Sequence, residues 1–204
     1  MCFFCRQTKK AVELEHRFKA EILNPEGFRS NNRYVAFEYP KTPVILGQNK
    51  DVIQQIQWGL IPYWAKNDNI KKYTLNARIE TVTQKPSFKN SINNRCLVIT
   101  DGYYEWQWLD SKGNKKQQYL ITLPNNEAFA FAGLWSEWTD KMSGEIIKSY
   151  TVLTTEANEQ MAEIHNSKKR MPIVLTKETE KEWLSNTNLN AFKNPEVTFQ
   201  TQKL

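Results

Sequence analysis

Apolar residues fall at Ala11, Leu14, Phe18 and Ile22, three or four positions apart, with charged residues between them. That spacing lines one face of a helix over 7–22 and leaves the other faces to water. Asn24-Pro25-Glu26-Gly27 then breaks it. The pattern changes further along. Short runs at 44–46, 97–100, 119–123, 128–135 and 149–154 are rich in β-branched and aromatic residues. Turn-forming stretches such as Ser111-Lys112-Gly113-Asn114 and Pro124-Asn125-Asn126 separate them, so they predict strands. Helical character returns at 156–164, where Thr155 is placed to cap the N-terminus, and at 177–184, where Thr176 is placed likewise. Polar residues dominate 186–204, which predicts a loosely held tail. Strands in the middle and helices on the flanks predict a single α+β domain over 1–204, with a β-rich, barrel-like core flanked by helices.

Composition narrows the class. With 204 residues, 40% of them hydrophobic, the chain can build one sizeable core but not two comfortable domains. No apolar run approaches the ~20 residues that span a bilayer. The start, Met-Cys-Phe-Phe-Cys-Arg, is too short an apolar patch for a secretory signal. A soluble, cytoplasmic protein without a membrane partner is expected. Three cysteines in that setting argue against a disulfide framework. The net charge of +6 favours polyanionic partners, because each neutralised phosphate releases counterions, but charge alone does not distinguish nucleic acid from no partner.

Few residues offer reactive chemistry. Cys2 follows the initiator, and a small residue there normally permits methionine removal. The mature chain then starts with a 1,2-aminothiol. Its amine, with a reference pKa of roughly 8, is partly neutral near pH 7 and condenses with aldehydes. The neighbouring thiol can close a five-membered thiazolidine, helped by effective concentrations on the order of 10⁵ M. An ordinary buried cysteine is the competing reading. Cys2 and Cys5 also form a C-x-x-C pair that, with Cys96 and His16, would just complete a zinc site, although no second C-x-x-C supports it. His165 ends the 156–164 helix beside a basic run, as a cap or as an acid–base group. Glu105 lies among Gly102-Tyr103-Tyr104 and Trp106, where desolvation would raise its pKa, unless it sits on an edge strand facing water.

Taken in order, several segments resemble the SRAP (SOS response-associated peptidase) family. They are Cys2, Trp58-Gly59-Leu60-Ile61-Pro62 with Trp64, Asn76-Ala77-Arg78-Ile79-Glu80, Arg95-Cys96-Leu97, Gly102-Tyr103-Tyr104-Glu105-Trp106, Ala132-Gly133-Leu134-Trp135, the helix start at 154–158, and Ile164-His165 followed by Arg170-Met171-Pro172. The resemblance implies that Cys2 bonds covalently to the ring-opened sugar of an abasic site in single-stranded DNA or at a single-strand/double-strand junction. It implies that Asn76 positions the amine and sugar, that Glu105 shuttles protons, and that His165 aids ring opening or a lyase step. It further implies phosphate contacts from Arg78, Arg170, Lys168, Lys169 and Arg6, base stacking on Trp64, no cofactor and no metal. The expected protein is a monomer that joins the nucleoid when bound to DNA. Departures exist. Phe3-Phe4-Cys5 stands where the family commonly has Gly-Arg, Val35-Ala36-Phe37-Glu38 replaces the usual Asn and Ala-Pro, and four residues separate His165 from Arg170 where compact members have about one. Two rival functions remain open on the residues alone: a cysteine hydrolase built on Cys2, and a nucleic-acid binder without chemistry.

Overall fold

The structure, a computed structural model, describes residues 2–204; Met1, and with it the question of its removal, lies outside them. In chain order the strands are β1 (Phe4–Gln7), β2 (Glu21–Ile22), β3 (Asn31–Val35), β4 (Lys41–Leu46), β5 (Asn49–Trp58), β6 (Asn76–Arg78) and β7 (Arg95–Thr100). They continue with β8 (Gly102–Trp108), β9 (Lys116–Thr122), β10 (Phe129–Thr139), β11 (Ile146–Glu156), β12 (Arg170–Pro172), β13 (Val174–Leu175) and β14 (Gln200–Lys203). The helices are α1 (Ala11–Phe18), α2 (Glu159–Ile164) and α3 (Lys177–Leu184). The protein is α+β and mostly β, as its sequence pattern predicts.

Strands β11, β10, β7, β4 and β5 are neighbours in that order. A parallel pairing of Ser149 and Tyr150 with Gln57 and Trp58 then joins β5 back to β11, closing a five-stranded barrel. Closure removes the exposed strand edges that an open sheet would carry. A strand in such a position is buried on both faces and reads as a continuous apolar run. β7 follows that rule: all six of its residues are buried, Cys96 and Val98 toward one apolar cluster and Leu97 and Ile99 toward another. A second sheet, ordered β14-β9-β8-β1-β3, contributes Cys5, Tyr103 and Ile121 to the first cluster. Helices α1 and α3 cover the second cluster with Leu14 and Trp183. No helix among the described residues is long and apolar enough to cross a membrane.

Three sequence expectations change. The 7–22 helix contracts to α1, because Lys19 takes a left-handed conformation (φ 55°) and ends it. Gln7 closes β1, and Ile22 pairs beside Ile53 of β5. The 156–164 helix starts later, since residues to Glu156 belong to β11. Asn158 is its cap, accepting a hydrogen bond from the Met161 amide at 2.9 Å, while the Thr155 hydroxyl is drawn away to the Lys193 carbonyl. The tail is also docked rather than loose: Phe192 and Phe199 are buried, and β14 pairs antiparallel with β9. Its polar composition concealed a strand held by its backbone. Only α3 keeps both its expected range and its expected cap, Thr176, which accepts from the Thr179 amide.

Candidate active site

β8 lies inside the second sheet, between β1 and β9. Side chains alternate across a strand, so Tyr103 and Glu105 point toward the barrel while Tyr104, Trp106 and Trp108 take the other face. Glu105 is 4% exposed. Burial pushes its pKa up to about 7, opposed in part by a hydrogen bond from the Trp106 amide. The carboxyl group therefore holds or releases a proton near neutrality. It does not face water from an edge strand.

His165 follows the last residue of α2 and is buried. Its Nδ1 lies 2.6 Å from the Arg170 carbonyl oxygen. A carbonyl can only accept, so Nδ1 carries the proton and Nε2 keeps its lone pair. Nε2 stands 4.0 Å from Glu105 Oε2. Burial, together with the charges of Lys168 and Arg170, lowers the imidazole pKa and keeps the ring neutral near pH 7. The result is a neutral base facing an acid that titrates near neutrality.

Cys2 joins this pair from the N-terminal side. It is fully buried, and burial chiefly, with Cys5 and Glu105 adding, raises its thiol pKa well above the ordinary value. Asn76 Nδ2 donates to the Cys2 carbonyl at 2.9 Å. That bond fixes the amide's orientation and turns Oδ1 the other way. Oδ1 is buried and has no hydrogen-bond partner among the described residues. β6 holds Asn76 there by pairing in parallel with β11, Asn76 opposite Val152. A cleft of about 370 Å³ opens onto the site, with Glu105 and His165 in its wall beside Phe3, Phe4, Trp106 and Lys168. Glu105 and His165 thus line the cleft, while Cys2 lies buried behind it within electrostatic reach of Glu105 and is held by Asn76.

The sequence profile of the SOS response associated peptidase (SRAP) family matches residues 1–203. The chain belongs to the SRAP family. It is 37% identical over 177 residues to the abasic site processing protein YoqW of Bacillus subtilis (strain 168), covering 86% of this chain and 76% of YoqW. It is 33% identical over 147 residues to the abasic site processing protein HMCES of Gallus gallus, covering 61% of this chain and 42% of HMCES. An X-ray structure of a protein from Bacteroides thetaiotaomicron superposes with a TM-score of 0.90 at 31% identity, covering 100% of this chain and 92% of that one.

The other site residues expected of an SRAP protein are dispersed. Arg170 is 5% exposed and is turned inward. Its guanidinium makes a bidentate pair with Glu80 at 2.8 and 2.9 Å and donates to the Thr154 carbonyl at 2.8 Å. It is therefore withdrawn from solvent phosphate, and its carbonyl orients His165 instead. Arg6 is also engaged, donating to Asn126 Oδ1 at 2.8 Å and lying 3.4 Å from Asp101 Oδ2, and it does not line the cleft. Trp64 is 44% exposed on the segment after β5, outside the cleft. Arg78 and Lys169 are exposed, Arg78 two residues beyond Asn76 on β6, and only Lys168 of the basic run lines the cleft. Among the described residues no group of three or more His, Cys, Asp or Glu side chains is placed to hold a metal ion. Sequence reasoning missed Trp108 and Lys116, which complete the cleft, and Glu80, which braces Arg170. The signal for Trp108 was present: aromatic residues at 104, 106 and 108 repeat at strand spacing.

Proposed function

We propose that this SRAP protein processes abasic sites in single-stranded DNA and at single-strand junctions by capturing the ring-opened deoxyribose on Cys2 after removal of Met1. The Cys2 amine adds to the sugar aldehyde, and loss of one water leaves an imine. The thiol sulfur then adds to the carbon of the protonated imine, the thiol proton passes to the Glu105 carboxylate, the nitrogen keeps its own proton, and a thiazolidine is closed. Amine attack precedes thiol attack, because burial keeps the thiol protonated. Glu105 in its acid form supplies the proton that departs with water, and its carboxylate receives the thiol proton. His165 Nε2, with its lone pair, takes the proton of the anomeric hydroxyl as the bond from that carbon to the ring oxygen breaks, and the resulting imidazolium returns a proton to the departing ring oxygen. An abasic nucleotide has no base to unstack, which lowers the cost of drawing the sugar into the pocket.

The observation that carries this reading is the Asn76 amide. Its donor holds the Cys2 carbonyl at 2.9 Å, while its buried acceptor is left for a further hydrogen, as an amine or sugar hydroxyl would supply. The naming of the relatives as abasic site processing proteins supports the same substrate. The test is intact-mass measurement after mixing processed protein with single-stranded DNA bearing one abasic site. A mass increase equal to the DNA less one water is expected, lost in Cys2→Ala and in a chain with an N-terminal extension. An increase that survives the extension excludes the amine and points to thiol-only chemistry, as in a cysteine hydrolase. DNA binding that ignores Cys2 without any mass increase leaves a passive binder.

A further inference from the structure

The cleft extends past Glu105 and His165 to a part of the surface that the capture chemistry does not use. Trp106 and Trp108 lie two residues apart on β8, so their indoles share one face. Lys116 sits directly opposite Trp108 in the β8–β9 register, with its ammonium 5.5 Å from the indole centre. The far wall is the turn between α2 and β12, which contributes Ser167 and Lys168. Asn166 ties that turn to β8 through both of its amide atoms: Oδ1 accepts from the Trp108 amide at 3.0 Å, and Nδ2 donates to the Trp108 carbonyl at 2.9 Å. Gln107 Nε2 adds a bond to the Glu163 carbonyl at 3.1 Å. These bonds carry Lys168 onto the cleft wall.

The indole is held before any ligand arrives. Gly113, at φ +69°, lies so close beneath Trp108 that a Cβ there would come within 2.6 Å of the ring. The hairpin backbone thus supports one side of the indole. Neither Lys116 nor Lys168 is in an ion pair among the described residues. A fixed indole with the Lys116 ammonium over its ring and Lys168 on the same cleft matches an aromatic base joined to a phosphate, the base taking the place over the ring that the ammonium holds here.

We infer that Trp108, Lys116 and Lys168 form a subsite for one nucleotide flanking the lesion, its base against the indole and its phosphate between the two ammonium groups. The inference rests on the proposed function for its choice of strand, but not on the chemistry of Cys2. The turn then acts as a grip on the strand leading into the pocket. A stacked base is recognised by its π face, so the subsite is indifferent to sequence.

The test uses an undamaged fluorescent oligothymidylate and reads binding by anisotropy across a salt series. Trp108→Ala is expected to weaken binding roughly ten-fold, and Trp108→Phe to restore most of it. Lys116→Ala and Lys168→Ala should each flatten the dependence of log affinity on log salt by about 0.7, the loss of one single-strand phosphate contact. Thymidine monophosphate competes poorly if the occupant belongs to a strand. Wild-type affinity in Trp108→Ala, or an unchanged salt slope in both lysine variants, overturns the subsite. So does competition by the free mononucleotide at the oligomer's own affinity. Should Trp108→Ala fail to fold by circular dichroism, Trp108→Phe and the lysine slopes decide. Normal oligothymidylate binding without any covalent capture of abasic DNA would sink the proposed function and leave the subsite standing.

Discussion

Glu105→Gln should make the protein more stable above neutral pH and leave its stability nearly unchanged in acid. The native carboxyl group titrates at about 7 against a usual value of 4.5. In the unfolded chain it ionises as pH passes its ordinary value, while in the native state burial keeps the proton on. Folding therefore loses free energy as pH rises from about 4.5, and the loss is complete once pH exceeds the native value near 7. The shift is 7 − 4.5 = 2.5 units. At about 1.36 kcal/mol per unit, one buried carboxylate costs about 3 kcal/mol at alkaline pH. A glutamine of similar shape has no proton to lose and escapes that cost.

The measurement is urea unfolding of both proteins at intervals between about pH 4.5 and pH 8.5, with slopes compared so that a change in the unfolded state is not mistaken for stability. Other carboxylates titrate in both proteins and cancel in the difference. The expected difference is near zero at the acid end and grows to about 3 kcal/mol in favour of Glu105→Gln at the alkaline end. A difference that stays flat with pH would show that the carboxyl group is solvated and would remove the basis for its acid–base role. The same variant should capture abasic DNA more slowly, because glutamine neither gives nor takes the proton. Stability and activity are then expected to move in opposite directions from a single atom exchange.

Three further outcomes follow from the geometry. Glu80→Ala leaves the buried Arg170 guanidinium without its bidentate partner and should cost about 2–3 kcal/mol in urea unfolding, at the low end of the buried-pair range because Glu80 is itself 32% exposed; a Glu80→Met, Arg170→Met double variant should recover most of it. Asn76→Ala deletes one hydrogen bond and should cost only about 1 kcal/mol of stability, yet slow abasic-DNA capture at least roughly ten-fold in a time course, so equal capture rates would separate Asn76 from the chemistry. Cys5 and Cys96 are buried free thiols, Cys5 with a pKa pushed up to about 12 by desolvation, and peptide mapping after native alkylation should find both unlabelled until the protein is unfolded.

What the sequence made legible divides along a physical line. Features set by neighbours in the chain could be read: α3 and its Thr176 cap depend on residues three and four apart, and the apolar run of β7 announces a strand buried on both sides. β8 escaped because one face is aromatic (Tyr104, Trp106, Trp108) and the other mixes Tyr103 with Glu105 and Gln107, which is not the apolar–polar alternation of a half-buried strand. β14 escaped because Gln-Thr-Gln-Lys offers no apolar signal; its stability comes from backbone pairing with β9. The candidate site residues Cys2, Asn76, Glu105 and His165 are named by motifs in series, not by any spacing that would bring them together.

The basic run Lys168-Lys169-Arg170 makes the limit concrete. By charge the three residues are alike, and all were assigned to phosphate. The fold separates them by where β12 begins. Arg170 pairs with Glu156 in the β11–β12 ladder, so its side chain enters the sheet, where the Glu80 carboxylate, with the Thr154 carbonyl, makes a buried guanidinium tolerable. Lys169, one residue earlier, takes a left-handed turn at φ 48° and stays in water, while Lys168 faces the cleft. Three consecutive cations thus serve as brace, solvated turn and candidate phosphate contact. The choice among them is made by Glu80, some ninety residues away in sequence, which no local reading of the run contains.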